Sequence, residues 1–313
     1  MSKFLRRGIV SAVAAAAVSV ASLFGACTMK SKHPKANLTI EFNDNTYKIE
    51  YTLYRNMYPQ TVQHFIELAD EGFYDNTVIH NYTSSDWFTG GYSYDDDKSL
   101  KYDAAYSGNA LAEYLTEHSK ENEYYALAGS LSKSVYKQLS YDEKNNETVK
   151  DEDALPTLIG EFTNNDHRID NGALNAEFGV LKTYYYDKGN TNQKVAIKNS
   201  SGQILEHDYR YNCATSLFAI QTGTSSSYTS TNYAIFARLK DSGANKALNA
   251  LLTDIEDYIA DNLTGTNVNF TRSVTVNVDN ADNFADEGGQ SIETTFSLTH
   301  KPIIIKSVKI TKY

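Results

Sequence analysis

Residues 58–80 read YPQTVQHFIELADEGFYDNTVIH, and the chain runs on through Asn81 to Thr89-Gly90-Gly91. Pro59 opens a helical pattern. Val62, Phe65, Ile66 and Ala69 follow at i, i+3, i+4 and i+7 and therefore share one face. Proline fits the first helical turn because its missing N–H has no intrahelical partner there. Gly72 supplies a stop, and Val78-Ile79-His80 predicts a strand.

Outward from this stretch the chain is mostly short strands. Residues 36–42 (ANLTIEF) and 46–53 (TYKIEYTL) alternate apolar and polar around the turn signal Asn43-Asp44-Asn45, which predicts a β-hairpin. Further strands are predicted over 158–162, 179–186, 216–221, 233–239 and 302–310. A late helix has Leu248, Leu251, Leu252, Ile255 and Ile259 on one face, with Ser242 as its cap. Three polar segments look like insertions, at about 92–154, 187–211 and 265–299. The first predicts helices over 109–119 and 122–139 before the charged run DEKNNETVKDED (142–153). The second predicts a hairpin over 188–208, and the third a strand over 273–278. No internal repeat is present. Many short strands with one early and one late helix predict a mainly β architecture, a closed barrel capped by helices.

The first 26 residues read as a leader. Lys3, Arg6 and Arg7 form a basic region, an apolar run follows from Gly8 to Phe24, and small residues precede Cys27. Small residues directly before a cysteine resemble a bacterial lipoprotein signal, in which Cys27 carries the lipid. Residues 27–35 would then be a tether, and the protein would be held on the extracytoplasmic face of the cell membrane by acyl chains alone. The chain is acidic, net −10, and more so once the leader's three cations are removed. Nucleic acid needs a basic footprint, so it is excluded as a partner. With Cys27 lipidated, Cys213 has no intrachain partner, and the fold rests on its core. No His spacing suits a metal, and no acidic cluster has the full calcium-loop pattern. No cofactor is expected, and the expected state is a monomer.

Four blocks, in order, resemble the cyclophilin-type peptidyl-prolyl cis-trans isomerases. The first is 58–80 with Thr89-Gly90-Gly91, similar to the family's P-x-T-V-x-N-F-x-x-L-x-x-x-G-F-Y-D…F-H-R…Q-G-G. The second is GEFTNND…NGALNAEFGVL (160–181). The third is CATSLFAI (213–220) with NYAIFARL (232–239), and the fourth is KPIIIKSVKI (301–310). Together they cover about half the chain. The resemblance implies a closed antiparallel eight-stranded β-barrel capped by two α-helices, here with a partly helical insertion. It implies a groove on the outer face that holds a proline-containing peptide, such as a segment of an unfolded exported protein.

Rotation about a peptide bond faces a barrier of ~18–20 kcal/mol, and the X-Pro bond isomerises unaided over roughly tens of seconds. Lowering that barrier needs no nucleophile. It needs an apolar slot for the ring, polar groups for the flanking carbonyls, and a donor aimed at the proline nitrogen as its lone pair localises in the twisted amide. In the family the donor is the arginine after the strand histidine. Here that position is Asn81, shorter and uncharged. Carried over by alignment, the other groove positions fall on Asp86, Trp87, Thr89, Tyr184, Tyr185, Leu217 and Ala219, with Tyr228 and Tyr233 near the remaining two. His80 falls on a barrel position. Phe65, Gly72, Phe73, Tyr74, Gly90, Gly91, Gly179, Phe218 and Phe236 fit the scaffold. The scaffold matches the family and the groove mostly departs from it. Two functions remain open: an isomerase of weakened activity that assists folding of exported proteins, and an inactive module that binds peptide or protein at the cell surface.

Overall fold

Asn43 and Asp44 both take left-handed backbone, φ 49° and 63°, and so turn β1 (Lys35–Phe42) into β2 (Asn45–Leu53) in two residues. The third residue of the expected turn, Asn45, already belongs to β2. Leu38 faces Ile49 across the pair, and both are buried. This is a computed structural model, and it describes residues 31–93, 120, 139–142, 147–150, 158–163, 167, 169, 174–186, 190–198, 204–209, 213–223, 233–263, 269–278 and 292–313. The expected leader, Cys27 and most of the expected tether lie outside these residues, as do the helix expected over 109–119 and all but the last residue of the one expected over 122–139; that last residue, Leu139, begins a strand and not a helical turn.

Helix α1 (Pro59–Asp70) begins at its proline and buries Val62, Phe65, Ile66, Leu68 and Ala69. Gly72, at φ +71°, ends it. Gly72 N–H donates to Ala69 O at 3.1 Å and Phe73 N–H to Leu68 O at 2.9 Å, the paired bonds that close a helix around a left-handed residue. The helix start is unusual. Tyr58 offers no side-chain cap, and the carboxylate of Glu161 accepts instead from the N–H groups of Gln60 (3.2 Å) and Thr61 (2.8 Å).

The remaining strands are β3 (Thr77–Val78), β4 (Asn81–Tyr82), β5 (Asp86–Thr89), β6 (Leu139–Asp142), β7 (Glu147–Lys150), β8 (Leu158–Ile159), β9 (Leu181–Tyr186), β10 (Asn190–Lys198), β11 (Ile204–Tyr209), β12 (Cys213–Gln221), β13 (Ile235–Leu239), β14 (Thr271–Val278), β15 (Ile292–Thr299) and β16 (Ile304–Lys312). The main sheet runs β3-β16-β1-β2-β13-β9-β12-β5-β4, with β8 paired onto β12. Its two ends, β3 and β4, belong to one short stretch of chain, so the sheet curls back on itself. Ile79 N–H reaches Ile303 O and His80 N–H reaches Phe88 O, each at 3.0 Å, bridging the two halves. Taken as one interrupted strand, β3 and β4 leave eight staves around the curl. The expected Val78-Ile79-His80 strand is therefore broken after Val78, because its N–H groups turn from one neighbour to the other.

Phe65 of α1 packs into the interior against Phe236 (5.1 Å between centroids), Tyr74 (5.2 Å) and Phe218 (5.5 Å). Helix α2 (Ser242–Asn262) lies on β1, β2 and β13 through Leu248, Leu251 and Ile255. Its cap is Asp241, whose carboxylate accepts from Gly243 N (2.8 Å) and Ala244 N (3.1 Å). This corrects the expectation that Ser242 caps it: Ser242 is the first helical residue. Three separate two-stranded sheets, β6-β7, β10-β11 and β14-β15, fall within the three polar segments.

Candidate functional site: the outer face at Asn81

Successive side chains of a strand point to opposite faces, and paired residues share a face. Trp87, Phe218, Ile220, Leu181 and Phe236 lie in the core cluster. Their strand neighbours Phe88, Ala219, Lys182 and Ile235 therefore point outward. The register aligns these residues: Asn81 pairs with Phe88, Phe88 with Ala219, Ala219 with Lys182, and Lys182 with Ile235. The result is a row of five side chains across β4, β5, β12, β9 and β13. Leu217, half-buried, lies two positions from Ala219 on the same side. Asp86 lies two positions from Phe88 and faces Gln221.

Asn81, Ala219, Leu217 and Asp86 are thus brought to one face. Trp87 and Thr89 are not, which corrects their assignment to the groove. Trp87 has no exposed surface and stacks on Tyr82 at 5.4 Å inside the barrel. Thr89 is also buried, and its hydroxyl donates to Val78 O at 2.9 Å. The physical reason is parity: once Asn81 pairs with Phe88, residues 87 and 89 of β5 must turn in. Tyr185 and Tyr186 on β9 pair with Ala214 and Cys213, and Tyr184 lies before them on the same strand. Tyr233 is half-buried just before β13. Tyr228 lies outside the described residues. Sequence reasoning missed Phe88 and Lys182. Strict two-residue alternation through DWFT would have flagged Phe88, but a four-residue strand offers no independent clue to its phase.

Asp86 and Lys182 are each 0% exposed, and the Lys182 ammonium donates to Asp86 Oδ1. Burial lowers the Lys182 pKa, and the carboxylate beside it opposes that shift. The backbone around Asp86 is fixed by Thr83, whose hydroxyl accepts from Asp86 N (2.9 Å) and whose N–H donates to Asp86 O (3.0 Å). Asp86 Oδ2 and Gln221 Oε1 are buried acceptors with no partner among the described residues. The centre of the row thus holds a neutralised ion pair flanked by hydrogen-bond acceptors.

The near end of the row is apolar. His80 is buried between Tyr92 (5.0 Å) and Phe296 (5.7 Å), and burial lowers its pKa to about 3, so it is neutral at ordinary pH. Gly90 sits at φ +89°, where a Cβ would stand 2.7 Å from Ser216 O, and only glycine allows β5 to turn so close to β12. Two of the polar segments reach this end. Lys120 donates its N–H to Gly91 O (2.9 Å) and its ammonium to Phe73 O. The β14–β15 hairpin packs beside β4. Among the described residues no group of three or more His, Cys, Asp or Glu could hold a metal ion. The chemistry available on this face is binding and polarisation, by amide donors and acceptors on an apolar floor.

The family model described as cyclophilin type peptidyl-prolyl cis-trans isomerase/CLD matches residues 37–251. Similar solved structures include a Cryptosporidium parvum cyclophilin type peptidyl-prolyl cis-trans isomerase. It is 12% identical, covers 90% of this chain and 99% of its own, and has a TM-score of 0.37. The same protein in the presence of the dipeptide Ala-Pro matches at 12% identity, 89% and 99% coverage and a TM-score of 0.36. The Mimivirus cyclophilin matches at 11% identity, 89% and 92% coverage and a TM-score of 0.31. No curated protein matches the chain.

Proposed function

The chain belongs to the cyclophilin-type peptidyl-prolyl cis-trans isomerase family, and on that premise we propose that it is a weak isomerase that assists the folding of exported proteins. It would act as a monomer held by Cys27 at the extracytoplasmic face of the cell membrane. Its substrates would be proline-containing segments of unfolded exported proteins. The observation that carries this reading is the row itself, in which the amide of Asn81 stands beside the outward ring of Phe88. Phe88 offers the proline ring an apolar contact, and Asn81 offers an N–H toward the nitrogen whose lone pair localises as the bond twists. No bond is made or broken. Catalysis rests on holding the twisted amide better than the planar one. A neutral, shorter donor in place of a guanidinium gives up on the order of 10²–10³ in rate.

The test is cis/trans exchange of an Ala-Pro peptide, followed by NMR with the full-length protein in detergent. The wild type accelerates exchange, Asn81→Ala abolishes the acceleration, and Asn81→Arg raises it by about 10²-fold. A wild type that binds the peptide without accelerating exchange would instead favour an inactive peptide-binding module. The buried Asp86–Lys182 pair supports that second reading, because it fills the centre of the face with fixed polar groups.

A further inference from the structure

Most of the outward row is closed to solvent. Ala219, Lys182, Asp86, Gln221 and Ile235 are each at most 2% exposed. Asn81, Phe88 and Leu217 are half-buried and keep accessible surface. A peptide that meets Asn81 and Phe88 is therefore confined to the near end of the row, where Leu217 is the third side chain within its reach. Leu217 points outward because the next residue on β12, Phe218, belongs to the core. It lies directly on bare backbone at Gly91, where a Cβ would stand 2.4 Å from Leu217 Cδ2. Lys120 also reaches Gly91, but it turns its ammonium to Phe73 O and over the Phe73 ring, 4.9 Å from the centroid.

We propose that Leu217 sets the sequence preference of this face, selecting an apolar residue two positions from proline in the bound peptide. Ala219 pairs with Phe88, and Leu217 lies two residues along β12, so its side chain stands ~7–8 Å diagonally from that of Phe88. An extended peptide repeats its side chains on one face every two residues, at about 6.6–6.8 Å. A proline ring on Phe88 thus brings the side chain two residues away over Leu217. The leucine side chain has no hydrogen-bonding group. A polar side chain placed there loses water without a replacement partner, whereas an apolar one buries surface. In the opposite direction along β5 the next outward side chain is Asp86, which has no exposed surface, so the preference belongs to one side of proline only. The inference rests on the peptide-binding reading above and names the peptides that this face takes.

The experiment titrates full-length protein in detergent with two sets of N-acetylated peptide amides, X-Ala-Pro-Ala-Ala and Ala-Ala-Pro-Ala-X, with leucine, serine or glutamate at X. In one set leucine binds about tenfold more tightly than serine, and glutamate no better than serine; in the other set the three bind alike. Nuclear Overhauser contacts join the methyls of the peptide leucine to those of Leu217, assigned with Leu217→Ile. Leu217→Gln abolishes the leucine advantage, and Leu217→Met keeps it. Equal affinity for leucine and serine in both sets, or a leucine advantage that survives Leu217→Gln, would overturn the inference, while shifts at Asn81 and Phe88 in the same titrations leave the groove reading standing. No binding by any of the peptides would overturn both. Should Leu217→Gln fail to fold, the wild-type protein decides: a peptide leucine that makes no contact with the Leu217 methyls sinks the inference.

Discussion

Lys182 and Asp86 set two opposite charges, neither of them exposed, into the wall of the barrel. Taking both out of water costs several kcal/mol per ion, and their attraction offsets this only while the pair is intact. Asp86→Ala therefore leaves a buried ammonium alone and destabilises the protein by ~3–5 kcal/mol. The double change Asp86→Leu/Lys182→Met removes both charges and returns the urea midpoint close to wild type. If the single and double variants unfold at the same midpoint, the pair carries no coupling and the premise fails. Residue identity alone hid this pair. Alignment put Asp86 in the groove and passed over Lys182, because nothing local says that residues 96 positions apart will meet. The same limit placed Trp87 outward: a large aromatic suits a pocket or a core equally well, and only the pairing of Asn81 with Phe88 decides.

At the scale of elements, α1 shows what is local and what is not. Its proline start, its apolar face and its Gly72 stop were legible because each is written within the helix or next to it. Its N-terminal cap was not, since Glu161 arrives from a hundred residues away. That carboxylate is buried, and burial raises its pKa against the opposing bonds from Thr61 and Gln60. Glu161→Ala leaves two N–H groups of the first turn without their acceptor and costs about 1–2 kcal/mol. Glu161→Gln keeps an acceptor oxygen and recovers much of that, and comparing the two by thermal unfolding tests whether the cap or the packing matters. A similar long-range clamp ties α2 to the first hairpin. Asp254 accepts from Tyr47 (2.6 Å), Asn45 (3.0 Å) and Asn43 (3.5 Å). The sequence marked Asn43 and Asn45 only as turn residues, so their second role was invisible to it.

At the scale of the whole molecule, eight staves with two helices followed from strand patterning and family resemblance, while the attachment of the added hairpins followed from neither. The aromatic contacts of the β14–β15 hairpin are long-range, and they decide how the fold responds to acid. His80 is buried under Phe296 of one such hairpin, and His64 is buried on the inner side of α1. Burial lowers their pKa values to about 3 and about 4. In the unfolded chain both return to about 6.5. Between those limits the unfolded state binds more protons than the folded one, so stability rises with pH. The contribution is fully present above about pH 6.5 and falls by up to ~1.4 kcal/mol per pH unit for each histidine as the medium is acidified toward the folded values. Asp254 acts in a separate window. Burial would raise its carboxyl, but the bonds from Tyr47, Asn45 and Asn43 hold it below the usual carboxylate value. Its share of stability is therefore present above about pH 4 and lost below it. Urea midpoints taken between pH 7.5 and pH 4.5 should fall steadily in the wild type, and less steeply in His80→Phe, which keeps an aromatic ring against Tyr92 and Phe296 without a titrating nitrogen. A profile that stays flat down to pH 4.5 would mean that neither histidine is held neutral by the fold. The β14–β15 hairpin would then not be sealed against β4 in the way its contacts require.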